Sequence, residues 1–201
     1  MKKAFRIFSI ILVLTLCLTA FAACGKDDSA TNNPDDGGTS LPPAEELETF
    51  TMPYHPCMKF SYPKYAYDTG YSVEGRNSDC MYVEDIVDTT YDELMAMDEE
   101  TRNAALRTDY SMNNLTGYTI TDLSSSTRTN AKGVSIYTYE CEATVSGSTL
   151  YLCFYVFDGI ESEEEGWVLG YTSLHDKSKS DQTLLQTVFD TIEVFEVSDE
   201  A

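Results

Sequence analysis

The chain is poor in the residues that most enzymes rely on: its 201 positions include two histidines, His55 and His175, and one tryptophan, Trp167. It contains no Gly-x-Ser-x-Gly, no His-Glu-x-x-His, no Cys-x-x-Cys and no glycine loop that would cradle a phosphate. Those absences remove the sequence signals of serine hydrolases, zinc proteases, zinc ribbons, thioredoxin-like redox centres and nucleotide binders. Basic side chains are scarce as well, with 13 Lys and Arg against 34 Asp and Glu and a formal charge of −21. A field of that sign repels nucleic acid and anionic lipid and attracts cations and basic partners.

What is present begins with an address. Lys2, Lys3 and Arg6 precede an apolar run over residues 8–23, and Cys24 follows directly. A basic start, an apolar segment and small residues before a cut site make a secretion signal, too short and wrongly flanked for a stable membrane span. The stretch Leu18-Thr19-Ala20-Phe21-Ala22-Ala23-Cys24-Gly25 resembles a bacterial lipobox, with Phe21 where Leu, Val or Ile is usual. The resemblance implies that Cys24 is acylated, becomes the mature N-terminus and anchors the protein to the extracytoplasmic face of the cell membrane. The other reading is an ordinary signal cut after Ala20 or Ala23, with Cys24 left as a thiol. Each buried methylene contributes about 0.8 kcal/mol, so one acyl chain holds marginally and two or three hold durably.

Loss of the three basic residues in the signal takes the net charge from −21 to −24. Residues 24–47 then read as the lipidated cysteine and an acidic linker, nearly empty of large apolar side chains and unable to offset its ordering entropy. As a coil of about two dozen residues it spans on the order of 25 Å, enough to lift a domain off the headgroups. Residues 48–198 have the length of one α+β domain with its own core.

Within that domain, residues 58–62 alternate and stop at Pro63, and residues 80–86 give a second strand. Thr90 followed by Glu93 is a capping-box pattern opening a helix, and Asp98 is placed to cap a second one. Residues 117–126, 134–145 and 149–157 are β-branched and aromatic, separated by turn signals at Asn130 to Gly133 and at Ser146-Gly147. They predict an antiparallel meander. Tyr137, Tyr139, Cys141 and Ala143 share one face of its middle strand, and Leu150, Leu152, Phe154 and Val156 share one face of the next. Both faces of that last strand are apolar or aromatic, so something must cover both. Residues 167–174 supply another strand, 181–190 an amphipathic helix capped by Ser180, and 193–197 a closing strand.

This element order, with Phe60-Ser61-Tyr62-Pro63 at the start, the long hairpin at Ser146-Gly147, and Phe189-Asp190-Thr191-Ile192-Glu193-Val194-Phe195 at the end, resembles the PsbP-like, DcrB-type family. The resemblance covers residues 58–197 and implies an antiparallel β-sheet flanked by helices on both faces. It also implies an accessory or binding role without a common catalytic residue set. Tyr65 and Tyr67 stand where a PsbP-like entry segment often carries tryptophan.

Four cysteines fall in the domain, Cys57, Cys80, Cys141 and Cys153, and export permits disulfides. A two-residue turn at Ser146-Gly147 sets Cys141 opposite Leu152 and puts Cys153 on the other face, which disfavours a bridge between them. Cys57 with Cys80 is then the more plausible pair, and buried free thiols are the alternative. His175-Asp176 is the sole adjacent base and carboxylate, and its simplest reading is a turn after a strand. Glu163, Glu164 and Glu165 form the densest acidic patch, read as a solvated loop, with a weak Ca²⁺ site or a docking surface as the sharper reading. Its spacing does not match an EF-hand, and neither a metal nor a cofactor is assigned. Tyr62, Tyr65, Tyr67 and Tyr71 make a tyrosine-dense loop that suits an adaptable contact surface. The expectation is a non-catalytic, membrane-anchored binding or accessory module that meets a protein, a cell-wall component or a cationic ligand, and no nucleic acid. A cell-envelope hydrolase using carboxylates or His175, or a Ca²⁺-responsive surface module, is the alternative.

Overall fold

The computed structural model describes residues 46–51, 58–86, 89–159 and 166–195. Cys24, the linker up to residue 45, His55, Cys57, Glu163, Glu164 and Glu165 lie outside the described residues. Among the described residues no helix is long and apolar enough to cross a membrane.

Strands dominate. In chain order they are β1 (Leu47–Thr51), β2 (Met58–Pro63), β3 (Tyr67–Asp68), β4 (Ser72–Glu74) and β5 (Cys80–Asp85), then helices α1 (Tyr91–Ala96) and α2 (Glu99–Asp109). There follow β6 (Thr119–Thr129), β7 (Ser135–Val145), β8 (Ser148–Asp158) and β9 (Gly166–Ser173), helix α3 (Gln182–Thr191), and β10 (Glu193–Val194). The protein is a mixed α and β structure of antiparallel sheets with a few helices.

A single sheet is the expectation from the sequence, but the described strands form two. One has three strands in the order β1-β2-β10, and the other seven in the order β3-β4-β5-β9-β8-β7-β6. The division falls after Pro63, where the chain turns through Lys64 N–H to Glu46 O at 2.9 Å and Ala66 N–H to Pro63 O at 2.8 Å before entering the second sheet. Alternation marks residues 58–62 as a strand without saying which strand it joins.

Local signals are realised closely. The Thr90 hydroxyl accepts from Glu93 N–H while the Glu93 carboxylate accepts from Thr90 N–H, both at 3.1 Å, which closes the capping box of α1. Asp98 Oδ1 accepts from Thr101 N–H at 2.9 Å and caps α2. The β7–β8 hairpin turns on Ser146 (φ 50) and Gly147 (φ 84), left-handed at both positions as a type I′ turn requires. That turn fixes the register Tyr139 to Phe154, Cys141 to Leu152 and Ala143 to Leu150. The cap of α3 differs from expectation: it is Asp181, whose Oδ1 accepts from Leu184 N–H at 3.1 Å, so the helix starts at Gln182 and Ser180 lies outside it. A carboxylate satisfies an orphan amide and complements the helix dipole at once, which a hydroxyl cannot do.

The strand period of two sorts β8 between two hydrophobic clusters. Tyr151, Cys153, Tyr155 and Phe157 join Trp167, Leu169 and Tyr171 of β9, Phe50, Met58 and Phe60 of the small sheet, and Leu184, Leu185, Val188 and Phe189 of α3. Leu150, Leu152, Phe154 and Val156 join Tyr137, Tyr139, Cys141 and Val168, together with Leu94 of α1 and Leu106 of α2. Eight consecutive residues of β8 are buried as a result. At about 1.5–3 kcal/mol for each large side chain taken fully out of water, this strand and β9 carry the centre of the core. Cys141 and Cys153 are buried thiols on opposite faces of the sheet, as the hairpin register requires, and burial pushes the Cys141 thiol up to about 11.

Candidate functional site

The tyrosine-dense segment between Pro63 and Cys80 forms one margin of the seven-stranded sheet. β3 and β4 pair as Tyr67 with Glu74 and Asp68 with Val73. Their connection is held by side chains rather than by core: Asp68 Oδ1 accepts from Gly70 N–H at 2.6 Å, and the Thr69 hydroxyl accepts from Ser72 N–H at 3.1 Å. Gly70 sits at φ 88, a conformation that glycine adopts without strain.

The four tyrosines separate by environment. Tyr67 and Tyr71 are exposed at 68% and 64%, and Tyr65 at 41%. Tyr62 does not share that surface. Only 4% exposed, its ring packs in the core, its hydroxyl donates to Glu48 Oε2 at 3.1 Å, and burial, aided by that carboxylate, pushes its phenol up to about 12.

Tyr65 is exposed and yet fixed. Its hydroxyl donates to Asp181 Oδ1 at 2.8 Å, and the Arg76 guanidinium carbon lies 4.0 Å from the ring centroid. Desolvation first, and then the hydrogen bond to Asp181, raise its phenol, so the group remains a neutral donor at ordinary pH. Arg76 N–H donates to Asp181 Oδ2 at 3.1 Å, so the backbone that carries the guanidinium is tied to the same carboxylate. Below this lies a buried polar cluster. Asp79, with no exposed surface, accepts through Oδ2 from the Tyr171 hydroxyl and from Asp181 N–H, the latter at 2.6 Å. Tyr171 is raised in its turn, by burial and then by the Asp79 carboxylate.

The chemistry of this cluster is positioning. Both oxygens of Asp181 and the Oδ2 of Asp79 accept from backbone amides and phenols at the start of α3, while Asp79 Oδ1 is buried without a hydrogen-bond partner among the described residues; these bonds pin the turn around Arg76 against the helix and hold the Tyr65 ring in one orientation. Gly75 makes the approach possible, since a Cβ there would meet Leu184 Cδ2 at 2.8 Å and Asp181 Oδ2 at 3.0 Å. The sequence reading missed Asp79, Asp181 and Tyr171. Asp181 carries a legible signal, a carboxylate three residues before Leu184, whereas nothing local marks Asp79 as buried.

His175 is exposed in the turn after β9, where its N–H donates to the Ser173 hydroxyl at 3.2 Å. The neighbouring Asp176 carboxylate is engaged elsewhere. It accepts from Lys179 Nζ at 2.8 Å, from the Ser178 hydroxyl and from Ser178 N–H at 3.1 Å, and these bonds, that of Lys179 first and the Ser178 hydroxyl next, pull it down to about 2. Among the described residues no group of three or more His, Cys, Asp or Glu side chains is arranged to hold a metal ion.

No family model matches this chain. No curated protein matches it either. Among solved structures, the chain is similar to one described as LpqN, involved in cell envelope biogenesis of Mycobacterium tuberculosis. The two are 10% identical with a TM-score of 0.47, over 75% of this chain and 92% of that one.

Proposed function

We propose that this chain is a membrane-anchored, extracytoplasmic lipoprotein acting as a non-catalytic binding or accessory module, with the Tyr65, Tyr67 and Tyr71 surface as its contact face. The anchor rests on the basic start, the apolar run and the lipobox-like residues before Cys24. The observation that carries the binding reading is the clustering of three exposed aromatic rings, one of them held by named partners, on a single short segment. Tyr65 is held by Asp181 and Arg76, while Tyr67 and Tyr71 stand in solvent. Rigid aromatic rings lose little entropy on contact and offer both an apolar face and a donor, which suits recognition of a protein or cell-wall component. The acidic field adds a preference for cationic ligands. For the fold, the partition of α1 and α2 into one hydrophobic cluster and α3 into the other supports the PsbP-like sandwich with helices on both faces.

Mass spectrometry of the native protein tests the anchor, with a diacylglyceryl-modified Cys24 at the N-terminus expected and an unmodified N-terminus overturning it. A photo-crosslinker placed at Tyr71 in intact cells tests the surface. A discrete adduct that disappears in the Tyr67→Ser variant is expected, and an adduct unaffected by that substitution would remove Tyr67 from the contact face.

A further inference from the structure

The opposite margin of the seven-stranded sheet carries a second surface, independent of the tyrosines. β6 is eleven residues long and pairs with β7 alone, and no described strand lies on its other side. None of its residues is buried, on either face. Long edge strands are ordinarily blunted by charge, proline or a bulge, because their free amides and carbonyls template further pairing. Here the blunting is incomplete. The bulge falls early, between Asp122 opposite Cys141 and Ser124 opposite Glu140, and leaves Leu123 with 41% of its surface exposed. From Ser124 to Thr129 the strand runs in regular register with β7.

The two charges of β6, though exposed, are both engaged within the chain. Asp122 pairs with Arg107 at 2.9 Å and accepts from the Tyr139 hydroxyl, and the Arg128 guanidinium lies 4.3 Å from the Phe189 ring centroid. Residues 123–127, Leu-Ser-Ser-Ser-Thr, therefore present an uncharged edge with small hydroxyl side chains. A carboxylate stands beside the middle of the strand: Glu99, exposed at the start of α2, accepts through Oε1 from the Ser125 hydroxyl at 2.7 Å.

We infer that β6 is a docking edge that accepts an extended, cationic segment of a partner protein as an eighth strand. Main-chain pairing supplies the contact, and the Glu99 carboxylate, within the chain's negative field, selects Lys and Arg on the incoming segment. A second copy of this chain is the wrong occupant on charge, since each copy carries −21 as the full chain and −24 without the signal, and the two would repel.

The probe is a capped alternating Thr-Lys peptide offered to the full chain, with a Thr-Glu peptide of the same length beside it. Amide hydrogen exchange across β6 is expected to slow about tenfold or more with the Thr-Lys peptide and to stay unchanged with the Thr-Glu peptide. Raising the salt should weaken the effect, because the selecting charges are exposed. The exposed double substitution Ser124→Lys with Ser126→Lys should weaken binding about tenfold or more while leaving the melting temperature within a degree or two. Equal protection by both peptides, or protection confined to the β3–β4 hairpin, overturns the inference. So does concentration-dependent dimerisation that protects β6 without any peptide, which would make a second copy the occupant.

Discussion

At one margin of the seven-stranded sheet, β3 and β4 are two and three residues long and are tied to helix α3 through Asp79, Asp181, Tyr171 and Arg76. At the other, β6 runs for eleven residues with no buried side chain, held by its pairing with β7, by Asp122 on Arg107 and by Arg128 on Phe189. The hairpin that carries β6 is moored at its turn. Buried Asn130 donates through Nδ2 to the Phe189 and Ile192 carbonyls at 2.9 and 2.8 Å, while its Oδ1 accepts from the amides of Lys132 and Val134, both at 3.0 Å. A short edge is thus fixed through side chains into a helix terminus, and a long edge mainly through its backbone ladder, with side-chain ties at Asp122, Ser125 and Arg128. The difference teaches where rigidity resides: the aromatic margin is preorganised, and the hydroxyl margin pairs with one described strand only.

The comparison can be broken by substitution. Leu184→Ala, beneath the short edge and fully buried, should lower unfolding free energy by about 2–5 kcal/mol in urea titration, and a smaller loss would mean that the helix does not anchor that margin. Gly75→Ala should lower it by about 1–3 kcal/mol, because the new methyl meets Leu184 Cδ2 at 2.8 Å and Asp181 at 3.0 Å. Alkaline pH should loosen the same margin. The Tyr65 phenol is raised in the folded state, so its contribution to stability is complete below the ordinary tyrosine value of about 10 and is lost as pH rises beyond it. The melting temperature of Tyr65→Phe should accordingly fall less steeply above that pH than the parent's, and parallel curves would contradict the assignment. At the long edge, Ser126→Ala and Thr127→Ala should change stability by less than about 0.5 kcal/mol, and a larger loss in urea titration would reveal packing on β6.

Much of the architecture was legible before any coordinates. The meander of β6, β7 and β8 follows from β-branched and aromatic runs punctuated by Asn130 to Gly133 and Ser146-Gly147, and the two-residue turn alone places Cys141 against Leu152. Both caps at Thr90 and Asp98 were readable because a cap is a contact between residues three apart. The apolar character of both faces of β8 announced two covering layers, and its residues divide between two clusters. The tyrosine segment was legible as a group, but Tyr62 could not be told from its neighbours, because a single period-2 position decides whether a ring enters the core. The Cys57 and Cys80 pairing rests on a residue outside those described.

The amino-acid order by itself determined the features that depend on near neighbours: strand period, turn handedness, helix caps and the sign of the surface field. Only the tertiary structure decided that β2 leaves the main sheet, that Asp79 of the Arg76 turn meets Asp181 at a helix start 102 positions later, and that β6 is the last described strand of its sheet. Those outcomes depend on which surfaces are brought together once the core closes. Contacts across that distance are selected by shape and burial, which no local pattern of residues encodes.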